Sequence, residues 1–85
     1  MKTLLIISAL TLVASPALAG PSCSGDAPML PMTQIAKGFE DQGGRIKLIK
    51  ETKGGCYEIY GYENDRKVEI YYDPRTGEVL EKEYD

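Results

Sequence analysis

Gly54-Gly55-Cys56-Tyr57-Glu58-Ile59-Tyr60-Gly61-Tyr62, then Lys67-Val68-Glu69-Ile70-Tyr71-Tyr72 and the turn Asp73-Pro74-Arg75-Thr76-Gly77, is the stretch whose reading decides the fold. Its apolar and polar residues alternate, and it is rich in Tyr, Ile and Val, which is the pattern of half-buried strands. The residues between the runs tolerate tight-turn dihedrals, so the stretch reads as successive hairpins. Cys56 to Tyr62 puts Tyr57, Ile59 and Gly61 on one face and Cys56, Glu58, Tyr60 and Tyr62 on the other. Lys67 to Asp73 points Val68, Ile70 and Tyr72 one way and Glu69 and Tyr71 the other. Asn64-Asp65 marks the turn between them, and Asp73 to Gly77 fits a type I turn closed by a left-handed glycine. Glu78 to about Glu83 is short and charged, as suits an edge strand.

Working outward toward the N-terminus, Arg45 to Thr52 is a further strand, joined to the next by Lys53-Gly54-Gly55-Cys56. Ile46 and Leu48 share a face, and Ile49 breaks the alternation, which implies a bulge or a partly covered second face. Before it, Met32, Ile35, Ala36 and Phe39 recur at the spacing of one helical face, predicting an amphipathic helix over Met32 to Gln42. Pro31 can take its first position or Thr33 its N-cap, and Gly43-Gly44 ends it. Gly38, in its middle, costs up to ~1 kcal/mol against Ala, so the helix needs a surface to pack on. Gly20 to Pro31, rich in Pro, Ser, Gly and Asp, has no periodicity and reads as an extended arm.

Parity then defines a core of Met32, Ile35, Ala36 and Phe39 against Ile46, Leu48, Tyr57, Ile59, Val68, Ile70, Tyr72 and one of Val79 or Leu80. The expected architecture is α+β in two layers: one N-terminal helix packed on a four-stranded antiparallel meander, occupying residues 32–85 behind the arm of residues 20–31.

Residues 1–19 read as a secretory signal peptide. Met1-Lys2 is a short positive start, Thr3 to Ala14 is an apolar run ending near Pro16, and Ala17-Leu18-Ala19 is a small-x-small cleavage pattern. The run is shorter than the ~20 residues that span a bilayer, so stable membrane insertion is not expected after cleavage. The mature chain then begins at Gly20 and is exported. In that compartment an even cysteine count implies a disulfide, Cys23 to Cys56. Closing a loop of about 34 residues stabilises so small a domain by roughly 3–4 kcal/mol in the chain-entropy model. Without Lys2 the chain is one unit more acidic than the −3 of the full sequence, which makes nucleic acid a poor partner.

The order of these segments resembles the small periplasmic PepSY-like proteins. A helix is followed by Gly-Gly, a strand, Gly55-Cys56-Tyr57-Glu58-Ile59-Tyr60-Gly61, and Val68-Glu69-Ile70-Tyr71-Tyr72-Asp73-Pro74-Arg75-Thr76-Gly77-Glu78-Val79-Leu80. Tyr57-Glu58-Ile59 and Asp73 to Leu80 are the most specific parts, and the likeness covers about Met32 to Leu80. It implies a periplasmic location and, since related domains occur in propeptides of secreted metallopeptidases, a role in inhibiting or chaperoning a peptidase.

The residues themselves carry little chemistry. The chain has no histidine, and with both cysteines in a disulfide there is no thiolate. Ser22, Ser24, Thr33, Thr52 and Thr76 have no evident activating base, so neither catalytic residues nor a cofactor are expected. Asp65 and Asp73 lie in turns, but a hard cation needs six or more oxygens from a shaped loop, and Glu63-Asn64-Asp65 is followed by Arg66-Lys67. No metal site is expected there. What stands out is the face away from the helix, where Tyr60, Tyr62 and Tyr71 gather with Glu58, Glu69 and Lys47. Cross-strand tyrosines stabilise an open sheet face by roughly 0.2–1 kcal/mol per pair, and they also make recognition surfaces. The expected function is therefore an exported, non-catalytic binding or regulatory module for a protein or peptide partner in the cell envelope. It would act through Tyr60, Tyr62, Tyr71, Glu58 and Glu69 or through a sheet edge. The alternative is a structural or sensory envelope protein that holds a small ligand or metal ion with loop carboxylates.

Overall fold

Helix α1 (Met32–Asp41) and strands β1 (Gly44–Glu51), β2 (Tyr57–Glu63), β3 (Arg66–Tyr72) and β4 (Val79–Tyr84) follow in chain order in a computed structural model that describes residues 20–85. The signal-peptide reading falls on residues 1–19 and lies outside the described residues. The strands form one antiparallel sheet in the order β1-β2-β3-β4, the meander that the turn chemistry implies. Asn64 and Asp65 both take positive φ, at 51° and 71°, which matches the twist of a two-residue hairpin. After Asp73, Oδ1 of that residue accepts the Arg75 N–H at 2.8 Å, and Gly77 at φ 82° donates its N–H to Asp73 O at 2.8 Å.

The sheet buries one face under α1. Ile35 and Phe39 from the helix meet Tyr57, Ile59, Val68, Ile70 and Tyr72, and Met32, Ile46 and Ile49 complete the layer. The two-layer α+β architecture is the one the sequence predicts. Pro31, with φ −62° and ψ 140°, is the N-cap residue and not the first helical one, and no side chain caps the helix, Thr33 included.

Two expectations about the core are corrected. Leu48 is 49 % exposed, because the β1–β2 register shifts between Ile46 and Leu48. Lys47 is the extra residue of this bulge, so Leu48 opposite Tyr60 turns to the outer face and Ile49 opposite Ile59 turns inward. Neither Val79 nor Leu80 is buried, at 48 % and 41 % exposed. The helix contacts β1 and leaves β4 beyond its cover. A second register shift, opposite Tyr71 and Tyr72, sets Leu80 out of the ladder.

The arm is more ordered than its composition implies. Leu30 donates its N–H to Pro74 O at 2.7 Å and accepts the Tyr57 hydroxyl at 2.7 Å, and Arg75 Nε donates to Ala27 O at 2.8 Å. Met29 and Leu30 pack on the core. At the other end the Cys23–Cys56 disulfide forms with a Cα separation of 5.1 Å, and Cys23 N–H reaches Gly54 O at 2.8 Å. Cys56 precedes β2 and is fully buried.

Candidate functional site

The outer face carries all five residues on successive rungs of β2 and β3, and Tyr60, Tyr62 and Glu69 line one open hollow of about 210 Å³. Register places Glu58 opposite Tyr71 and Tyr60 opposite Glu69, so these four form adjacent cross-strand pairs on β2 and β3. Tyr62 lies further along, opposite Lys67, under the Arg45 guanidinium at 4.4 Å from its ring centroid. All five residues stand on the face away from the helix, where parity puts them. Glu58 is 2 % exposed, and its Oε2 has no hydrogen-bond partner among the described residues. Burial raises the Tyr71 hydroxyl to about 12, with the Glu58 carboxylate adding to the shift, and raises Tyr60 and Glu69 from the same two causes. Tyr71 also lies against Gly20, so the start of the described chain covers part of the face.

The helix side of the sheet offers a second surface. Because α1 stops short of β4, an open hollow of about 270 Å³ runs between them, with Leu30, Ile35, Phe39 and Tyr72 along one side and Val79 and Lys82 along the other. Gly38 lines it from the exposed side of α1, and a Cβ there would meet nothing within 4 Å. At one end the Glu63 carboxylate accepts the Tyr84 hydroxyl at 2.6 Å and faces Lys82 Nζ at 3.0 Å. The Tyr84 hydrogen bond, then that from Lys82, hold Glu63 below the usual carboxylate range.

β4 is an edge strand with free backbone groups. Asp85 donates its N–H to Lys67 O at 3.1 Å, so strand alternation turns the amides of Lys82 and Tyr84 away from β3. The other edge, β1, is broken by its bulge and carries Lys47 and Lys50, both of which discourage strand addition. Sequence reasoning placed no site at the hollow. The signal was Gly38, whose helix-weakening presence packing alone does not require.

The loop carboxylates belong to turns: Asp73 is engaged with the Arg75 amide, and Asp65 sits in the β2–β3 hairpin. No group of three or more His, Cys, Asp or Glu side chains is arranged to hold a metal ion among the described residues.

The family model for the peptidase propeptide and YPEB domain matches residues 3–83 of the chain. The chain belongs to this family. No curated protein and no solved structure matches it. Membership of this family suggests a propeptide-like module. The Tyr57-Glu58-Ile59 and Asp73 to Leu80 segments that carry the resemblance are the start of β2 and the β3–β4 turn with the first two residues of β4, so they build the sheet that both surfaces share.

Proposed function

We propose that this PepSY chain is an exported, non-catalytic module that regulates a secreted peptidase of the cell envelope by direct contact. The contact surface is the α1–β4 hollow together with the free edge of β4. An extended segment of the partner adds to β4 through the outward amides of Lys82 and Tyr84, and its side chains enter the hollow beside Val79 and Ile35. Backbone pairing supplies affinity, and the hollow selects side chains.

The observation that carries this reading is Gly38. It weakens the helix by up to ~1 kcal/mol, sits exposed in mid-helix, and keeps clear the space that a side chain would fill. A helix selected for stability alone would carry Ala or a longer residue here.

The test is inhibition of peptide hydrolysis by metallopeptidases secreted from the same cells, with the oxidised domain as titrant. Wild type is expected to inhibit, while Gly38→Lys and Val79→Arg lose tenfold or more in inhibition constant, a loss of roughly 1.4 kcal/mol, without a fall in melting temperature. Full inhibition by both variants would remove the hollow from the contact, and no inhibition by wild type would remove peptidase regulation.

A further inference from the structure

The outer face holds a group that the peptidase contact does not use. Glu58 is 2 % exposed, and its Oε2 is unpartnered. A buried carboxylate in this condition is strongly destabilising unless a cation meets it. The two lysines that line an open hollow with Glu58 form no ion pair to it. Lys50, opposite Glu58 in the register, carries its Nζ over the Tyr60 ring at 5.7 Å from the centroid, and the ion pairs among the described residues are Lys37–Asp41 and Lys82–Glu63. Lys53 lies on the hairpin at the rim.

Gly20 also stands in this hollow, which has a volume of about 540 Å³ and is lined by Glu58, Tyr60 and Tyr71. Gly20 lies in close contact with the sheet: a Cβ there would stand 2.8 Å from Tyr71 Cε2. The disulfide at Cys23, three residues on, fixes this end of the arm to the sheet. Immediately before Gly20 stands Ala17-Leu18-Ala19.

We infer that Glu58 is the counter-ion of the mature N-terminus: cleavage after Ala19 makes the Gly20 nitrogen an α-ammonium, which binds Glu58 between the Tyr60 and Tyr71 rings. The step is a hydrolysis by a signal peptidase. Water adds across the Ala19–Gly20 peptide bond, Ala19 leaves as the carboxylate of the leader, and the Gly20 nitrogen takes up a proton. The disulfide has already restricted the arm, so little chain entropy is lost on docking. The fold thus completes its buried charge pair only after export processing. The inference rests on a leader ending at Ala19 and is independent of the peptidase contact.

The full precursor is expressed with its own leader, recovered from the envelope, and its N-terminus fixed by intact mass. A second precursor carries Ser-Ser inserted between Ala19 and Gly20, and both are made with and without Glu58→Gln. The insertion is expected to raise the unfolding equilibrium constant on the order of tenfold with Glu58 present and to leave it unchanged in Glu58→Gln. A mature chain that starts elsewhere than Gly20, or an insertion effect equal in both backgrounds, would overturn the assignment. If Glu58→Gln does not fold, the α-amine of Gly20 is titrated by NMR in the wild-type protein. The hollow it shares is lined by Lys50, Glu51 and Lys53 of β1 and the hairpin, Glu58 and Tyr60 of β2, and Tyr71 of β3, with Glu69 opposite Tyr60 in the register. A value above the ordinary ~7.7–8.0 supports the pair, and an ordinary value overturns it.

Discussion

A Cβ on Gly61 would collide with the Arg45 carbonyl oxygen, because the bulge at Lys47 brings the β1 backbone against the middle of β2. A Cβ on Gly38 would meet nothing within 4 Å. The two glycines therefore predict opposite outcomes for the same substitution. Gly61→Ala forces a backbone shift in a paired strand and is expected to destabilise by about 1–3 kcal/mol. Gly38→Ala relieves a helix-interior glycine in open space and is expected to stabilise by about 0.5–1 kcal/mol. Urea unfolding of both variants beside wild type checks the pair. A stabilising Gly61→Ala would mean that the bulge does not press on β2.

At the scale of elements, β4 is the least covered strand, and its far end is held on the helix side by one carboxylate. Glu63 of β2 takes the Tyr84 hydroxyl and the Lys82 ammonium together. Its pKa is lowered by these partners, so the sign follows directly: the native state favours the ionised form. The stabilisation is present above the ordinary carboxylate value and is lost as the pH falls through the lower folded value. These groups are partly exposed, so the effect on global stability is small, and it should appear locally. Amide exchange in β4 is expected to quicken relative to β2 and β3 on acidification, after correction for intrinsic rates, and Glu63→Gln should show the faster exchange already at neutral pH. Equal protection of β4 in Glu63→Gln and wild type at neutral pH would show that β4 is held by its ladder with β3 alone.

For the molecule as a whole, the meander was legible because each hairpin announces itself locally: Asn64-Asp65 for one turn, Asp73 to Gly77 for the next. The helix face was legible from its spacing. What was hidden is non-local. Ile49 signalled an irregularity, but which residue a bulge ejects depends on pairing with β2, so Leu48 and Ile49 exchanged faces. How far a helix reaches across a sheet is set by packing angle, so the exposure of Val79 and the hollow beside it left no periodic trace. The arm was read as aperiodic, and its bonds to Pro74, Tyr57 and Gly54 join residues far apart in sequence. Those bonds divide the arm into two anchors. Leu30 is held by the Pro74 carbonyl, the Tyr57 hydroxyl and the core, whereas the segment around Cys23 is held chiefly by the disulfide and one hydrogen bond to Gly54. Replacing both cysteines, Cys23→Ser with Cys56→Ser, releases the anchor at residue 23 and leaves that at Leu30. The chain-entropy model puts the loss at about 3–4 kcal/mol, out of the roughly 5–15 kcal/mol typical of a folded domain. The double variant should therefore unfold at lower urea with its sheet intact before the transition, and limited proteolysis should cut between Gly20 and Ala27 while sparing Leu30. Simultaneous loss of protection at Leu30 and in β3 would instead mean that the disulfide anchors the whole arm, and that the core contacts of Met29 and Leu30 depend on it.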